Sequence, residues 1–133
     1  MMLLDTHTLL WLVTEAPSLG EKARRLADEA QVNGELFVAA VSWWEIGMLA
    51  VKGRITLMQE PSSLRDTLLS AGLGELTQNG HVGIIAAQLA DFHGDPADRM
   101  IVATSLVQGC TLLTADKKIL AWPGRLLTQN ARL

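Results

Sequence analysis

Short apolar runs alternate with longer segments of helical periodicity along the chain. The apolar runs predict strands at "MMLLD", "ELFVAA", "LGELTQ", "CTLLTAD" and "GRLLT". Most of these runs place apolar residues side by side instead of alternating them with polar ones, which is typical of parallel strands covered on both faces. The pattern therefore predicts a buried, mainly parallel sheet.

Helices are predicted between these strands. The helical segments are "THTLLWLVT", "SLGEKARRLADEAQ", "VSWWEIGMLAVKG", "SSLRDTLLSAG", "GHVGIIAAQLADF", "DPADRMIVATSLVQG" and a short "KKILAW". Strands that alternate with helices of roughly ten residues or more are the signature of an α/β fold. We therefore expect a three-layer α/β/α sandwich around a central, mainly parallel sheet of four to five strands.

No repeat, low-complexity segment or linker interrupts this pattern, so residues 1–133 are predicted to form a single domain. Cys110 is the one cysteine and cannot form an internal disulfide, which favours a reducing cytoplasm. Neither a secretory signal nor a membrane span is expected, because Asp5 interrupts the apolar start of the chain. The hydrophobic content of 49% is high for a small soluble monomer and indicates that a partner covers some apolar surface.

Four acidic residues are predicted to lie at one edge of the sheet. Ligands of a parallel sheet bind beyond the carboxyl ends of its strands. Asp5 follows the first strand, Glu45 begins the helix after the second, and Asp116 follows the strand "TLLT". Asp98, in the first turn of the helix "DPADRMIVATSLVQG", is expected at the same edge.

Each acid also has a simpler interpretation as a helix cap, and for any one of them alone capping is preferred. Asp5 and Asp116 can each cap the helix that follows. Ser42 and Glu45 have the spacing of a capping box. In "DPADR", Asp95 can be the N-cap, with Asp98 favoured in the first turn by the helix dipole.

Caps have no reason to converge, whereas the predicted sheet would bring all four carboxylates together. Two unit charges roughly 4 Å apart repel by about 4 kcal/mol at an effective dielectric constant near 20. Such a cluster must take up protons or bind cations, and oxygen ligands favour Mg²⁺ or Mn²⁺. The sequence lacks Cys or His pairs with the spacing of a zinc site.

Divalent cations held by carboxylates suit phosphodiester hydrolysis. The formal net charge of −3 does not indicate nucleic-acid binding, but without the four acids it would be +1. Arg99, Lys117 and Lys118 lie beside two of the acids and could contact an RNA backbone. Each of these basic residues also has a simpler interpretation as a solvated charge in a first helical turn.

Four motifs together resemble those of PIN-domain ribonucleases, in particular the toxin half of VapBC-type toxin-antitoxin pairs. In chain order they are "LLDTHTLLW", "SWWEI" followed by "KGRI", "HGDPADRMIVATS" and "LLTAD". The resemblance covers nearly the whole chain. It implies a PIN-like fold, a Mg²⁺- or Mn²⁺-dependent endoribonuclease, an inhibitory cognate antitoxin and a homodimer.

The resemblance also implies roles for individual residues. Asp5, Glu45, Asp98 and Asp116 match the acidic quartet of the family, with Asp5 and Asp98 as the principal metal ligands and the other two acting directly or through water. Thr114 matches a supporting hydroxyl residue and Asp95 an accessory acid. Ala97 stands where many relatives have a bulky aromatic residue.

Histidine and tryptophan residues add further candidates. His7 is the best placed of the three histidines for proton transfer, although a structural role is preferred for it. The tryptophans could stack on RNA bases, but on such apolar helices they more often face the core or a partner. By analogy with the family, an antitoxin segment would lie in an apolar groove near Trp11, Trp43 and Met48.

Two other functions compete with this interpretation. A phosphoryl-transfer protein of the haloacid type needs a second Asp where this chain has His7, and a response-regulator receiver needs an acidic pair near the first strand. A non-catalytic PIN-like module that only binds RNA or protein is the second alternative. The intact acidic quartet argues against that module.

Overall fold

The computed structural model describes residues 1–133 and contains one five-stranded sheet in which all strands are parallel. The order across the sheet is β3-β2-β1-β4-β5, so the first strand lies at its centre. The strands are β1 (Met2–Leu4), β2 (Leu36–Ala39), β3 (Gly74–Leu76), β4 (Thr111–Thr114) and β5 (Leu127–Asn130). The expected parallel sheet of apolar strands is confirmed.

Seven helices connect these strands. They are α1 (Thr6–Val13), α2 (Glu21–Val32), α3 (Val41–Val51), α4 (Pro61–Ser70), α5 (Gly80–Ala87), α6 (Pro96–Gln108) and α7 (Lys117–Leu120). None of them is long and apolar enough to cross a membrane.

Two hydrophobic cores cover the two faces of the sheet. Leu4 and Leu113 face α1, α2 and α3, whereas their neighbours Leu3 and Leu112 face α6 and α7. Consecutive strand residues point to opposite faces, so each strand must be apolar throughout when both faces are covered. This arrangement confirms the three-layer sandwich. Cys110 is buried beneath α6, and burial raises the pKa of its thiol.

Two of the element boundaries that differ from the sequence prediction have a structural cause. Helix α5 was expected to continue to Phe92 but ends at Ala87. The guanidinium of Arg99 accounts for the early end, since it binds the backbone carbonyls of Ala86 and of the following loop. The last strand was expected at 124–128 but begins at Leu127, because the chain at Gly124 lies against the Trp122 ring.

Parallel strands place three helix starts at one edge of the sheet. Helix α1 follows β1, α3 follows β2, and α7 follows β4. Because β1 lies between β2 and β4, the first residues of these three helices are neighbours. This edge forms one wall of the cavity described next.

Candidate active site

A cavity of about 380 Å³ opens at this edge, a size within the usual range of ligand sites. All four acids of the predicted quartet line it, together with the expected accessory acid Asp95. Its lining residues are Asp5, Thr6, His7, Trp11, Glu45, Asp95, Asp98, Ala115, Asp116 and Arg132. The convergence expected from the strand order is therefore present in the fold.

Asp5 is both a helix cap and part of the cavity wall. One carboxylate oxygen accepts a hydrogen bond from the backbone N–H of Thr8 at 2.8 Å, so Asp5 is the N-cap of α1. The other oxygen accepts a hydrogen bond from the hydroxyl of Thr114. Both oxygens of this buried side chain are thus held by donors, which fixes its orientation.

Thr114 connects two of the acids at the end of β4. Its hydroxyl donates to Asp5 and accepts a hydrogen bond from the backbone N–H of Asp116 at 3.1 Å. Asp116 in turn caps α7, since its carboxylate accepts from the N–H of Lys118 at 2.8 Å. Thr114 thus contacts two of the acids, and its supporting role in the reaction stays a prediction.

Glu45 is not a helix cap, and the capping-box interpretation of Ser42 and Glu45 is wrong. The N-cap of α3 is Ala40, so Ser42 lies inside the helix. The Glu45 carboxylate instead accepts a hydrogen bond from the hydroxyl of Thr6, which lies 2.9 Å from the hydroxyl of Ser42. Burial raises the pKa of Glu45, and the negative charges of Asp98 and Asp95 raise it further.

Asp98 lies in the first turn of α6, whose N-cap is Asp95 and whose first residue is Pro96. The expected cap is confirmed, because Asp95 accepts from the N–H of Asp98 at 3.0 Å. The Asp98 carboxylate lies 2.7 Å from Nε2 of His93. Burial raises the pKa of Asp98, the His93 hydrogen bond opposes this effect, and the charges of Asp95 and Asp116 add to it.

Two groups of side chains have ligand atoms close enough to share one cation. Glu45, Asp95 and Asp98 form one group, and His93, Asp98 and Asp116 form the other, with the chosen atoms within 4.8 Å of one another in each. Asp98 is common to both groups. Asp5 lines the same cavity but belongs to neither group. Each of its oxygens accepts one hydrogen bond and keeps a further lone pair.

This donor set suits a hard divalent cation. The first group offers carboxylate oxygens alone, which Mg²⁺ and Mn²⁺ prefer. The raised pKa values of Glu45 and Asp98 show that negative charge is already costly in the cavity. A bound cation would remove that cost.

The basic residues near the acids have two different positions in the structure. Arg99 was expected to contact RNA, but its guanidinium donates to the backbone carbonyls of His93, Ala86, Leu89 and Phe92 and does not line the cavity. Lys117 and Lys118 do lie beside the acids, in an adjoining cavity that also includes Arg132. Sequence reasoning missed Arg132, because only the folding of the segment after β5 brings it here.

The histidines and tryptophans are divided between the cavity, the core and the surface. His7 is exposed at the cavity, but His93 is the histidine that contacts an acid. Trp11 lines the main cavity, whereas Trp43 packs against the hydrophobic core and lines no groove beside the acids. Trp44 and Met48, which are 59% and 37% exposed, form a groove adjoining the cavity instead.

Sequence reasoning also missed Thr6 and His93 as contacts of the acids, and Ser42 as a contact of Thr6. A local signal existed for His93, which lies five residues before Asp98. None existed for Thr6, because its partner Glu45 lies 39 residues away in the chain. Ser42 gave the wrong signal, because its spacing to Glu45 imitates a capping box.

Comparison with known proteins is consistent with this geometry. The model of the PIN domain family matches residues 2–123. Ribonuclease VapC22 of Mycobacterium tuberculosis (strain ATCC 25618 / H37Rv) is 33% identical in an alignment over 123 residues that covers 89% of this chain and 88% of that protein.

Solved structures with the same fold include two complexes. The structure of VapBC2 from Rickettsia felis bound to a DNA fragment from their promoter matches with a TM-score of 0.73 and 16% identity, covering 97% of each chain. DNA-bound VapBC from Salmonella typhimurium matches with a TM-score of 0.71 and 18% identity, covering 97% of this chain and 96% of that one.

Proposed function

We propose that this chain, which belongs to the PIN-domain family, is a divalent-cation-dependent endoribonuclease and the toxin of a toxin-antitoxin pair. The observation that carries the proposal is the convergence of five carboxylates, Asp95 and the quartet, on one open cavity. The similarity to a ribonuclease over most of both chains supports RNA as the substrate.

Asp98 would hold the cation at the centre of the site, because it belongs to both ligand groups. Asp5 would be the second principal ligand, and Glu45 and Asp116 would complete the site directly or through water. Bound Mg²⁺ or Mn²⁺ would lower the pKa of a coordinated water and neutralise charge on the scissile phosphate.

The protein's own contribution is to fix the carboxylates before substrate arrives. Thr114 holds Asp5, Thr6 holds Glu45, and His93 holds Asp98. A ligand whose orientation is already fixed loses less conformational freedom when a cation binds. Lys117 and Lys118 lie at the rim, where they would contact the RNA backbone.

An antitoxin partner is supported by the solved structures that share this fold, one of which is a toxin-antitoxin complex from Klebsiella pneumoniae. The groove with Trp44 and Met48 adjoins the acids and exposes apolar surface beside Lys52 and Arg54. We place the antitoxin segment in this groove. We also propose that the toxin is a homodimer and acts in the cytoplasm, where RNA is available.

Cleavage of RNA by purified, antitoxin-free protein tests the proposed function. We expect cleavage with Mg²⁺ or Mn²⁺, none in excess EDTA, and a loss of at least about a hundredfold in Asp98→Asn. Asp28→Asn is the matched control, because it removes one carboxylate from an exposed position on α2.

Three outcomes would contradict this proposal. If Asp98→Asn cleaves as fast as the parent, the acids are not the active site. If the parent cleaves equally in EDTA, no cation is needed. If the parent binds RNA but leaves it intact with either metal, the chain is a non-catalytic binding module.

A further inference from the structure

The short segment 131–133 lies against the rim of the acidic cavity and is fixed on both sides. The N–H of Ala131 donates to the carbonyl of Thr114, and its own carbonyl accepts from the N–H of Gly20, both at 2.8 Å. The carbonyl of Leu133 accepts from the N–H of Lys22 at 3.0 Å. Arg132 stands between these anchors, so its backbone position is determined by the fold.

Gly20 makes this close approach possible. A Cβ atom at residue 20 would lie 2.1 Å from the carbonyl carbon of Leu133 and 2.6 Å from the carbonyl group of Arg132. Real atoms do not approach so closely, and the obstacle is backbone, which cannot rotate away. The φ angle of Gly20 is −71°, which any residue can adopt, so the requirement for glycine here is purely one of space.

The Arg132 side chain is held over an aromatic ring instead of being paired with an acid. Its guanidinium carbon lies 5.1 Å from the centroid of the Trp11 ring. Arg132 lines the main cavity with Asp5 and Asp116, yet its guanidinium makes no hydrogen bond and no ion pair with a carboxylate. This cation–π contact with Trp11 restricts the position of the guanidinium, and its N–H groups remain available as donors.

The surroundings of the Arg132 guanidinium favour the binding of a phosphate. Arg132 also lines the adjoining cavity with Lys117 and Lys118, so three cations lie on one side of the acids. A guanidinium binds phosphate through two parallel hydrogen bonds, which an ammonium cannot reproduce. Arg99, in contrast, has already used its donors on backbone carbonyls.

We propose that Arg132, stacked on Trp11, binds a backbone phosphate of the RNA next to the bond that is cleaved. The proposal rests on the proposed ribonuclease function and adds a substrate-binding residue to it. Gly20 is a positioning residue for this contact, because it admits the segment that carries Arg132.

Binding and cleavage are measured separately so that the two proposals can fail independently. Binding is measured by fluorescence anisotropy with a short fluorescein-labelled single-stranded RNA in Ca²⁺ over a range of salt concentrations. Cleavage of the same RNA is measured in Mn²⁺. Arg125→Gln is the matched control, since Arg125 is an exposed arginine of the same region that lies outside the acidic cavity.

Arg132→Gln is expected to weaken RNA binding about tenfold and to raise KM by a similar factor with little change in kcat. The slope of log affinity against log salt should fall by about 0.7, the value of one phosphate contact on a single strand. Arg132→Lys should keep the salt slope but recover only part of the affinity. Gly20→Ala should reproduce the binding loss of Arg132→Gln, because it displaces the segment.

Equal affinity, KM and salt slope in Arg132→Gln and Arg125→Gln would overturn the assignment of Arg132. Full recovery by Arg132→Lys would overturn the bidentate, stacked geometry. If the parent binds RNA through Arg132 but does not cleave it in Mn²⁺, the ribonuclease proposal fails while the phosphate contact stands.

Discussion

Neutralising Glu45 should make the cation-free protein more stable. The carboxylates of Glu45, Asp95 and Asp98 have oxygen atoms within 4.8 Å of one another. At that separation and an effective dielectric constant near 20, each like-charge pair costs about 3.5 kcal/mol. Water in the open cavity, salt screening and partial protonation of Glu45 reduce this cost, so we expect Glu45→Gln to gain about 1–2 kcal/mol.

Thermal unfolding in EDTA measures this gain. For a chain of 133 residues it corresponds to a rise of about 4 °C or more in Tm. Glutamine retains an acceptor for the Thr6 hydroxyl, so the substitution removes the charge and keeps the contact. Asp28→Asn, which removes a charge from an exposed site, should change Tm little.

The pH dependence has a definite sign. Because the pKa of Glu45 is raised in the folded protein, the folded state binds more protons than the unfolded state between the two pKa values. The stability of the parent therefore falls as pH rises from the unfolded value of 4.5 through the folded pKa. The advantage of Glu45→Gln should vanish at acidic pH and be complete above the folded pKa.

Added Mn²⁺ should reverse the order of stability. When the cation is in excess, the stability of the parent rises with the logarithm of the ratio of cation concentration to Kd. Glu45→Gln should gain less, because one carboxylate ligand of the cation is lost. If Glu45→Gln lowers Tm in EDTA at neutral pH, the carboxylates do not repel one another as argued. If Mn²⁺ raises both melting temperatures equally, Glu45 does not contribute to cation binding.

Three further predictions concern residues that support the acids. Thr114→Val should lower the cleavage rate at least about tenfold, whereas Thr111→Val should not, because of these two β4 residues only Thr114 donates a hydrogen bond to Asp5. Equal cleavage rates in the two variants would contradict this role. Arg99→Met should lower the free energy of unfolding in urea by about 2–4 kcal/mol, because it leaves backbone carbonyls without donors. A loss no larger than that of Arg25→Met, at an exposed position, would refute this prediction. His93→Gln should weaken Mn²⁺ binding about tenfold by calorimetry; unchanged affinity would show that His93 does not orient its carboxylate.

The sheet was predictable because its evidence is local. Strands covered on both faces must be apolar at consecutive positions, and "MLL" and "TLLT" show this without reference to the rest of the chain. The end of α5 was not predictable, because the sequence of residues 88–92, "QLADF", is compatible with a helix. Arg99, which lies beyond them in the chain, binds their carbonyls and so stabilises a loop instead.

The acids of the cavity were predictable for a related reason. Parallel strands end at the same edge, so Asp5, Glu45 and Asp116, which follow three strands, are brought to one place by topology alone. The contacts that orient the acids were harder to predict. Thr6 and Glu45 are 39 residues apart, and Thr114 and Asp5 are 109 residues apart, so no local spacing relates them.

Capping and site formation are parts of one arrangement here. Asp5, Asp95 and Asp116 each cap a helix, so backbone N–H donors hold their carboxylates in place with or without a cation. Glu45 and Asp98 cap no helix, and these are the acids whose pKa is raised by burial and by neighbouring charge. The electrostatic cost of the site thus falls on two residues whose orientation depends on Thr6 and His93. A bound cation would reduce the electrostatic cost most at Glu45 and Asp98. Substitutions at these two acids should therefore lower activity while raising the stability of the cation-free protein, more clearly than substitutions at the capping acids.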